Sequence, residues 1–399
     1  MNKLTTLVVL LLLFVYSFSL VHAQVASSNI PWQKTQILAP TPTDRAVSEP
    51  SVLYENGLWR MWYRVGWGNN LQGIFYATSS DGIHWTKYGH VTNDYNAHVY
   101  RYNSTTLLMA AHGLIDQYTQ DGIHWSNFTQ QYGLWPNPWL NQADPYPNEY
   151  GTIGNSQLLK LPNGTYLMYY ESWNCNSQNK NPSGQPCYAQ DTLWAVNQAS
   201  SPGIFNNWAR SPNNPLLGGA SYSAANPHVI LENGIYYAFV DYYLWNATLG
   251  TYTIIETLST STDGIHFTFI YGPTNPALNI DKEKKLDSYC NQVGDAWIVV
   301  QSNGIYMFYD EDANVAANLT ATHASIWLAF LPATTLAQLA AGQFVANTSQ
   351  ETVTITSNQK TAVPEFPSTI IVAFLVIISV LEVSRSLTGR RKDRQNQQQ

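Results

Sequence analysis

Asp81-Gly82-Ile83-His84-Trp85 recurs letter for letter as Asp121-Gly122-Ile123-His124-Trp125, and again, with a phenyl ring for the indole, as Asp263-Gly264-Ile265-His266-Phe267. Asp-Gly marks a tight turn, because glycine takes positive φ without steric cost and aspartate caps its own backbone two residues on. The flanks alternate like strands: Ile74, Phe75 and Tyr76 lead in, and Ile83 and Trp85 lead out. Each copy reads as a β-hairpin with an aromatic anchor. In that reading the phrase is structural, and His84, His124 and His266 face outward or between repeats. A hairpin that recurs along a chain points to a repeat architecture.

The unit around it has four strands, A to D. In the first copy A covers 51–54, the turn is Asn56-Gly57, B covers 59–63, C covers 73–78, and D follows Trp85. The second copy places A at 98–102, B at 107–111, C at 114–119 and D beyond Trp125. The third begins with A at 157–161 and B at 166–170; after an insertion C falls near 192–197, and Trp208 marks D. The fourth runs 228–231, 236–240 and 253–259 to Phe267. The fifth runs 297–300, 306–309 and 325–330, and then 332–341 reads as a short helix instead of a D strand. The missing strand stands at the other end of the chain, where Ile30-Pro31-Trp32-Gln33-Lys34 lines up with Ile83-His84-Trp85-Thr86-Lys87. The fold expected is all-β: a five-bladed β-propeller closed by an N-terminal strand, which hides the edges that an open array would expose.

In such a ring the start of A and the end of B open on one face. Counting seven residues on from Gly57, Gly164, Gly234 and Gly304 gives Arg64, Glu171, Asp241 and Glu311, and Met109 aligned on Met61 adds His112. The matching starts of strand A are Glu49, Asn96, Asn155, Asn226 and Asp295. Two residues further stand Ser51, His98, Gln157, His228 and Trp297. One mouth thus gathers carboxylates, His, Arg, Asn and an indole. Sugars call for that mixture: polar groups for hydroxyls and flat rings for C–H faces. Glycosidic cleavage also needs one carboxyl as acid and another as base or nucleophile. The candidates are Glu49 as base or nucleophile, Glu171 or Asp241 as acid, and Asp295 in support. Arg64, His98, His112, Asn155, Asn226, His228, Trp297 and Glu311 are candidate substrate contacts. Strand ends are polar in any case because loops begin there, so the weight rests on all five units being polar at one register. No metal site or cofactor is expected, although carboxylates and Asn would suit a structural cation in the channel.

The five-unit plan, the Asn-Gly-x-Tyr strands and the Ser-x-Asp-Gly-Ile-His-Trp hairpins resemble the five-bladed propeller glycosidases, the arabinanase-, levanase- and invertase-like enzymes of glycoside hydrolase families 43 and 32. The hairpin is also similar to the sialidase Asp-box, one residue shorter. The resemblance covers roughly residues 30–330 and implies a carbohydrate substrate. Those families open blade one with an acid followed by Pro, and Glu49-Pro50 matches with Glu for the usual Asp. They carry acids where this chain has Asn155 and Asn226; Glu149, Glu171 or Asp241 would have to stand in.

The two ends carry addressing signals. Residues 1–23 read as a secretory signal: Lys3, an apolar stretch over 4–20 and Val21-His22-Ala23 before the cleavage point. The propeller is expected over 24–345, a linker over 346–365, a transmembrane helix over 366–384 and a cytoplasmic tail over 385–399. The tail's Arg385, Arg390, Arg391, Lys392 and Arg394 fit the positive-inside rule. Val363-Pro364-Glu365-Phe366-Pro367, the apolar run and the basic tail resemble the PEF-CTERM sorting signal of archaeal surface proteins, which implies display at the cell surface with the propeller outside. With that cationic tail set aside, the body is more acidic than the chain's net charge of −7, which argues against a nucleic-acid partner. Export permits disulfides. Cys175 and Cys187, close together in a Pro/Gly/Asn-rich stretch, are expected to staple it, and Cys290 is left over. The sequons at Asn103, Asn127, Asn163, Asn246, Asn318 and Asn347 are candidate glycan sites.

The reading is a membrane-tethered surface protein handling poly- or oligosaccharide as a glycosidase-like hydrolase. The alternatives are a non-catalytic propeller that binds glycan or protein, and a purely structural envelope protein.

Overall fold

The computed structural model describes residues 29–41, 46–66, 72–94, 98–135, 152–173, 194–219, 222–246, 251–279, 291–313, 324–348 and 351–356. They form five antiparallel blades. Blade one is β2 (Val47–Glu55), β3 (Leu58–Val65), β4 (Gly73–Ser79) and β5 (Thr86–Thr92). Blade two is β6 (His98–Arg101), β7 (Leu107–Ala111), β8 (Leu114–Thr119) and β9 (Ser126–Gly133). Blade three is β10 (Thr152–Lys160), β11 (Tyr166–Trp173) and β12 (Trp194–Ser201), with the short β13 (Ala209–Arg210) and β14 (Leu217–Gly218) both on β12. Blade four is β15 (Ser223–Glu232), β16 (Ile235–Asn246), β17 (Thr251–Ser261) and β18 (Thr268–Tyr271). Blade five is β19 (Asn291–Gln301), β20 (Gly304–Ala313) and β21 (Ala324–Pro332), and its outer strand is β1 (Gln33–Leu38) from the chain's start. Gln33 pairs with Phe330 and Lys34 with Ala329, so the ring closes with the first strand beside the last.

Strand alternation builds the core. Successive side chains point to opposite faces, and each face of a blade meets a neighbour. In β3, Trp59, Met61 and Tyr63 pack towards blade five, with Phe308, Ile326 and Leu328, whereas Trp62 packs towards blade two, with Val99, Leu107 and Met109. Comparable clusters fill the other seams: Met168 and Leu158 with Ile115, Tyr169 with Val229 and Ala238, and Phe239 with Met307 and Tyr309.

The Asp-Gly turns also work across seams. In each, the aspartate Oδ1 accepts the N–H groups two and three residues on, as from Ile83 and His84 to Asp81 at 2.8 Å. The Trp62 indole of blade one donates to Gly122 O of blade two at 2.8 Å, and Tyr169 of blade three donates to Gly264 O of blade four at 3.0 Å. The three histidines lie outermost, with Nδ1 on the aspartate and 79–86% of the side chain exposed.

After β21, Thr335 caps the helix α1 (Leu336–Ala340) in a capping box with Gln338, and Leu336 and Leu339 seal the outer end of the seam between blades four and five. A hairpin of β22 (Gln343–Thr348) and β23 (Glu351–Thr356) follows. The chain divides into two compact units, Met1–Ile355 and Thr356–Gln399, and the propeller belongs to the first. Among the described residues no helix is long and apolar enough to cross a membrane. The expected signal, transmembrane segment, basic tail and the three cysteines all lie outside the described residues.

Candidate active site

Four of the five innermost strands break register at one level. The pairing shifts between Ser48 and Ser51 in β2, Ile153 and Ser156 in β10, Ala225 and His228 in β15, and Gly294 and Trp297 in β19. The residues released by these bulges are those expected at the start of strand A: Glu49, Asn155, Asn226 and Asp295. Glu49, Asn226 and Asp295 take φ of 52°, 50° and 54°. Asn and Asp tolerate this left-handed region, but Glu has no such preference. Bulges of this kind re-aim side chains beside functional sites. Asn96, the fifth member, lies outside the described residues, as does Glu149.

The ends of strand B reach these bulges from the side. Strand parity points Arg64, Glu171 and Asp241 to the next blade, on the same face as Trp62, Tyr169 and Phe239 respectively. Glu171 accepts the N–H of Asn155 on Oε1 at 3.0 Å and that of Asn226 in blade four on Oε2 at 2.9 Å. Asp241 accepts Asn226 Nδ2 at 2.7 Å and the N–H of Asp295 in blade five at 3.1 Å. Asn155 and Asn226 hydrogen-bond each other, and Arg64 pairs with Glu49. His112 sits in the tight turn that joins β7 to β8, at φ 53°, buried against Ile153.

Glu311 departs from the expected register. In blade five the turn residues are Ser302 and Asn303, because Gln301 pairs with Gly304; in blade four the turn is Asn233-Gly234, between Glu232 and Ile235. The turn glycine therefore stands one residue later in blade five, and the position equivalent to Asp241 is Asp310, which pairs with Gly294 just before the bulge. Glu311 lies on the opposite face of β20, where Tyr309 approaches its carboxyl at 3.5 Å.

The row two residues beyond the bulges forms a belt between blades. Ser51 Oγ accepts the N–H of Val99 at 2.9 Å, Gln157 Oε1 that of Val229 at 2.6 Å, and His228 Nδ1 that of Ile298 at 3.1 Å. His98 and His228 flank the Trp297 indole, with ring centroids 5.1 and 4.5 Å away. Burial lowers both imidazoles, to about 4 and about 3, so neither is charged at neutral pH.

A small pocket opens among these groups. Glu49 and Pro50 of blade one, Asn226 and Pro227 of blade four, and Asp295 and Ala296 of blade five form its rim, and His98, His228 and Trp297 line it further in. Its electrostatics are uneven. Burial lifts the Glu49 carboxyl above its ordinary value, and the Arg64 guanidinium offsets this only in part. Burial, and then the charges of Asp310, Glu49 and Asp241, drive Asp295 well above the usual aspartate range. Glu171 is raised to about 8 and Asp241 to about 7, burial being the main cause in both. Among the described residues no group of three or more His, Cys, Asp or Glu side chains is arranged to hold a metal ion.

Three groups at the site were not singled out from the sequence. Asp310 was hidden by the shifted glycine. Glu256 is the one charged residue in the Thr- and Ser-rich strand β17, a signal that the strand-end count passed over. Tyr243 and Trp194 stack at 5.7 Å with 13° between their planes, just beyond Asp241, and Tyr243 lies within electrostatic range of Asp241, Glu171, Asp295 and Asp310.

The class that fold and site define is a five-bladed β-propeller with an acid-lined channel mouth. No family model matches the chain, and no curated protein does. Solved structures of the same fold do. A protein described as a glycoside hydrolase superposes with a TM-score of 0.56 at 14% identity, over 80% of this chain and 96% of that one. The catalytic domain of the Coprinopsis cinerea GH62 α-L-arabinofuranosidase gives 0.52 at 10% identity, over 76% and 98%. The Podospora anserina α-L-arabinofuranosidase, solved with cellotriose, gives 0.51 at 11%, over 77% and 99%. At these identities the likeness is one of fold.

Proposed function

We propose that this chain is a surface-displayed glycoside hydrolase acting on poly- or oligosaccharide. The observation that carries the reading is that Glu49 and Asp295 share one pocket in unequal surroundings: burial raises both carboxyls, but Glu49 is paired directly with Arg64 whereas Asp295 stands among further acids. Two titratable groups so arranged are what acid–base cleavage of an acetal requires. Glu49, held towards its ionised form by Arg64, is the base or nucleophile. Asp295, kept neutral by burial among acids, protonates the leaving oxygen. Glu171 and Asp241, whose oxygens are taken up by the backbone and amides of the bulges, hold Asn226 and Asp295 in place; this moves the acid role from them to Asp295. Trp194 and Tyr243 supply aromatic surface beside the acids for a sugar ring. The neighbours of the same fold are described as glycoside hydrolase and α-L-arabinofuranosidases, and this supports the substrate class. The signal-like start, the apolar run near the end and the PEF-CTERM-like tail support tethering at a membrane with the propeller outside.

The test is reducing-end release from a panel of plant, fungal and microbial polysaccharides by the full-length protein, beside Glu49→Gln and Asp295→Asn. Turnover on one polymer that both variants lower by about 10²–10⁴ is expected. Turnover that survives both variants undiminished would remove these residues from the chemistry. One feature favours a second reading, a glycan-binding propeller without turnover: two of the four described bulges present Asn155 and Asn226, amides bonded to each other. Binding on the panel with no release would select it.

A further inference from the structure

Glu256 lies directly across from Asp241 in the β16–β17 pairing. Both side chains are buried, at 1% and 0% exposure. The two carboxyl groups are within hydrogen-bonding reach of each other. Among the described residues no N–H or hydroxyl donor reaches either Glu256 oxygen. Asp241 is different, because Oδ2 accepts Asn226 Nδ2 and Oδ1 accepts the Asp295 N–H.

This arrangement leaves little freedom in where a proton can be. Two ionised carboxylates side by side repel, and a buried charge without a donor is costly. A neutral Glu256 removes both difficulties, because its hydroxyl then donates to Asp241, which already serves as an acceptor. The opposite assignment, with Asp241 neutral, leaves Glu256 as a buried anion with one donor. The other groups facing the pair reinforce the choice. Asp310 approaches from β20 and Asp295 from β19, Glu49 and Glu171 act on Asp241 from blades one and three, all of them acidic, and Tyr243 on β16 is neutral, while the site's guanidinium, Arg64, is engaged with Glu49.

We propose that Glu256 is a positioning residue of the channel site, a carboxylic acid that donates its proton in a hydrogen bond to Asp241, so that the pair carries a single negative charge. That charge is what holds the two bulges. Asp241 clamps the Asn226 amide in blade four and the Asp295 backbone in blade five, so Glu256 acts on the pocket rim through it without touching the pocket. Burial and the Asp241 charge raise the Glu256 carboxyl well above its ordinary value, as this role requires. The inference concerns the scaffold of the site and holds whether the pocket cleaves a glycoside or only binds one.

The test needs no substrate. Thermal unfolding of the full chain is followed from mildly acid to alkaline pH for wild type, Glu256→Gln and Glu256→Leu. Gln keeps a donor for Asp241 at every pH and never ionises; Leu offers none. As an acid held neutral in the fold, Glu256 makes the wild type lose stability as pH rises. The melting temperature of Glu256→Gln relative to wild type should therefore climb with pH, while Glu256→Leu melts lower than Glu256→Gln throughout. Difference infrared spectra at neutral pH, wild type minus Glu256→Gln, should show one carboxylic-acid carbonyl band beyond those that Glu171 and Asp295 contribute to both proteins. A pH-independent difference between wild type and Glu256→Gln, or no change in the acid band, would overturn the proposal. If Glu256→Leu does not fold, the Gln variant and the infrared band decide alone.

Discussion

Glu171 reaches out of its own blade to accept the backbone N–H of Asn226, 2.9 Å away, so a carboxyl of blade three fixes a bulge of blade four. That carboxyl is raised to about 8 from an ordinary 4.5, chiefly by burial. Between those values the folded chain keeps a proton that the unfolded chain has released, so stability must fall as pH climbs through that window. The Asp241–Glu256 pair, which keeps a proton in the fold that the unfolded chain releases, acts in the same direction. The turn residues Asp81 and Asp263 act oppositely. Their hydrogen bonds to His84 and His266 hold them well below the usual range, and what they contribute is lost only as pH falls below the unfolded value near 3.8. They are solvent-exposed and contribute little. The melting temperature should be higher near pH ~5 than near pH ~8.5, and circular dichroism melts across that range measure it. A rise over the same interval would show that the carboxyls are ionised in the fold.

For a polymer that the protein cleaves, Asp295→Asn and Glu49→Gln should each lower kcat by about 10²–10⁴ with KM nearly unchanged, the usual cost of removing a general acid or base. The two should differ in pH profile. Asp295 works protonated, so its loss removes the alkaline limb, and Glu49 works ionised, so its loss removes the acid limb. Glu171→Gln should change KM and kcat together, because it disturbs the Asn155 and Asn226 backbone without removing the reacting groups. Initial rates at several pH values separate the three cases, and an unchanged limb in either pocket variant would reverse its assigned role.

Gly122 and Gly57 both take left-handed φ, at 85° and 80°, yet only one is crowded. A Cβ on Gly122 would meet the Arg60 guanidinium and would lie 2.7 Å from the Trp62 ring, whereas one on Gly57 would meet nothing within 4 Å. Gly57→Ala should cost only the backbone penalty, about 1 kcal/mol. Gly122→Ala should cost more by roughly 1–3 kcal/mol, the usual range for overpacking, and should weaken the bond from Trp62 to the Gly122 carbonyl. Denaturant midpoints of the two variants give the comparison, and equal shifts would mean that the turn does not staple blade one to blade two.

Why the fold was legible and the pocket only partly so follows from the kinds of signal involved. The Asp-Gly turns, the Asn-Gly hairpins and the alternating aromatics are local, and each copy repeats the others. The closing strand could be found because Trp32 repeats the place of Trp85; the ordered strand, Gln33–Leu38, begins within the matched segment and runs on past it. The bulge residues Glu49, Asn155, Asn226 and Asp295 were reachable by counting from turn glycines. The same count failed in blade five, where the glycine moves by one place and brings Asp310 in place of Glu311. Bulges leave no mark in composition, so nothing in the chain announces that Glu49 is turned to positive φ. Glu256 acts across a strand pair, and Trp194 meets Tyr243 from another blade. Contacts of that sort are set by register and closure and have no periodic signature along the chain.

The belt between blades offers a graded test of closure. Gln157 binds Val229 twice, accepting its N–H at 2.6 Å and donating to its carbonyl at 3.0 Å, while Ser51 makes a single such bond to Val99 at 2.9 Å. All three bonds are buried. Removing a partner from a buried backbone group leaves it unsatisfied at about 1–3 kcal/mol. Gln157→Met keeps the bulk and loses both bonds, so it should destabilise about twice as much as Ser51→Ala, which loses one. Both should leave the far-UV spectrum intact, because the blades themselves are held by their own ladders. The measurement is the pair of melting temperatures under one buffer, with hydrogen exchange at Val229 and Val99 as the local readout. Faster exchange at Val229 in Gln157→Met, with Val99 unchanged, places the loss at the seam between blades three and four. A Gln157→Met cost no larger than that of Ser51→Ala would show that the innermost row is not what closes the ring, and would leave that task to the apolar seams.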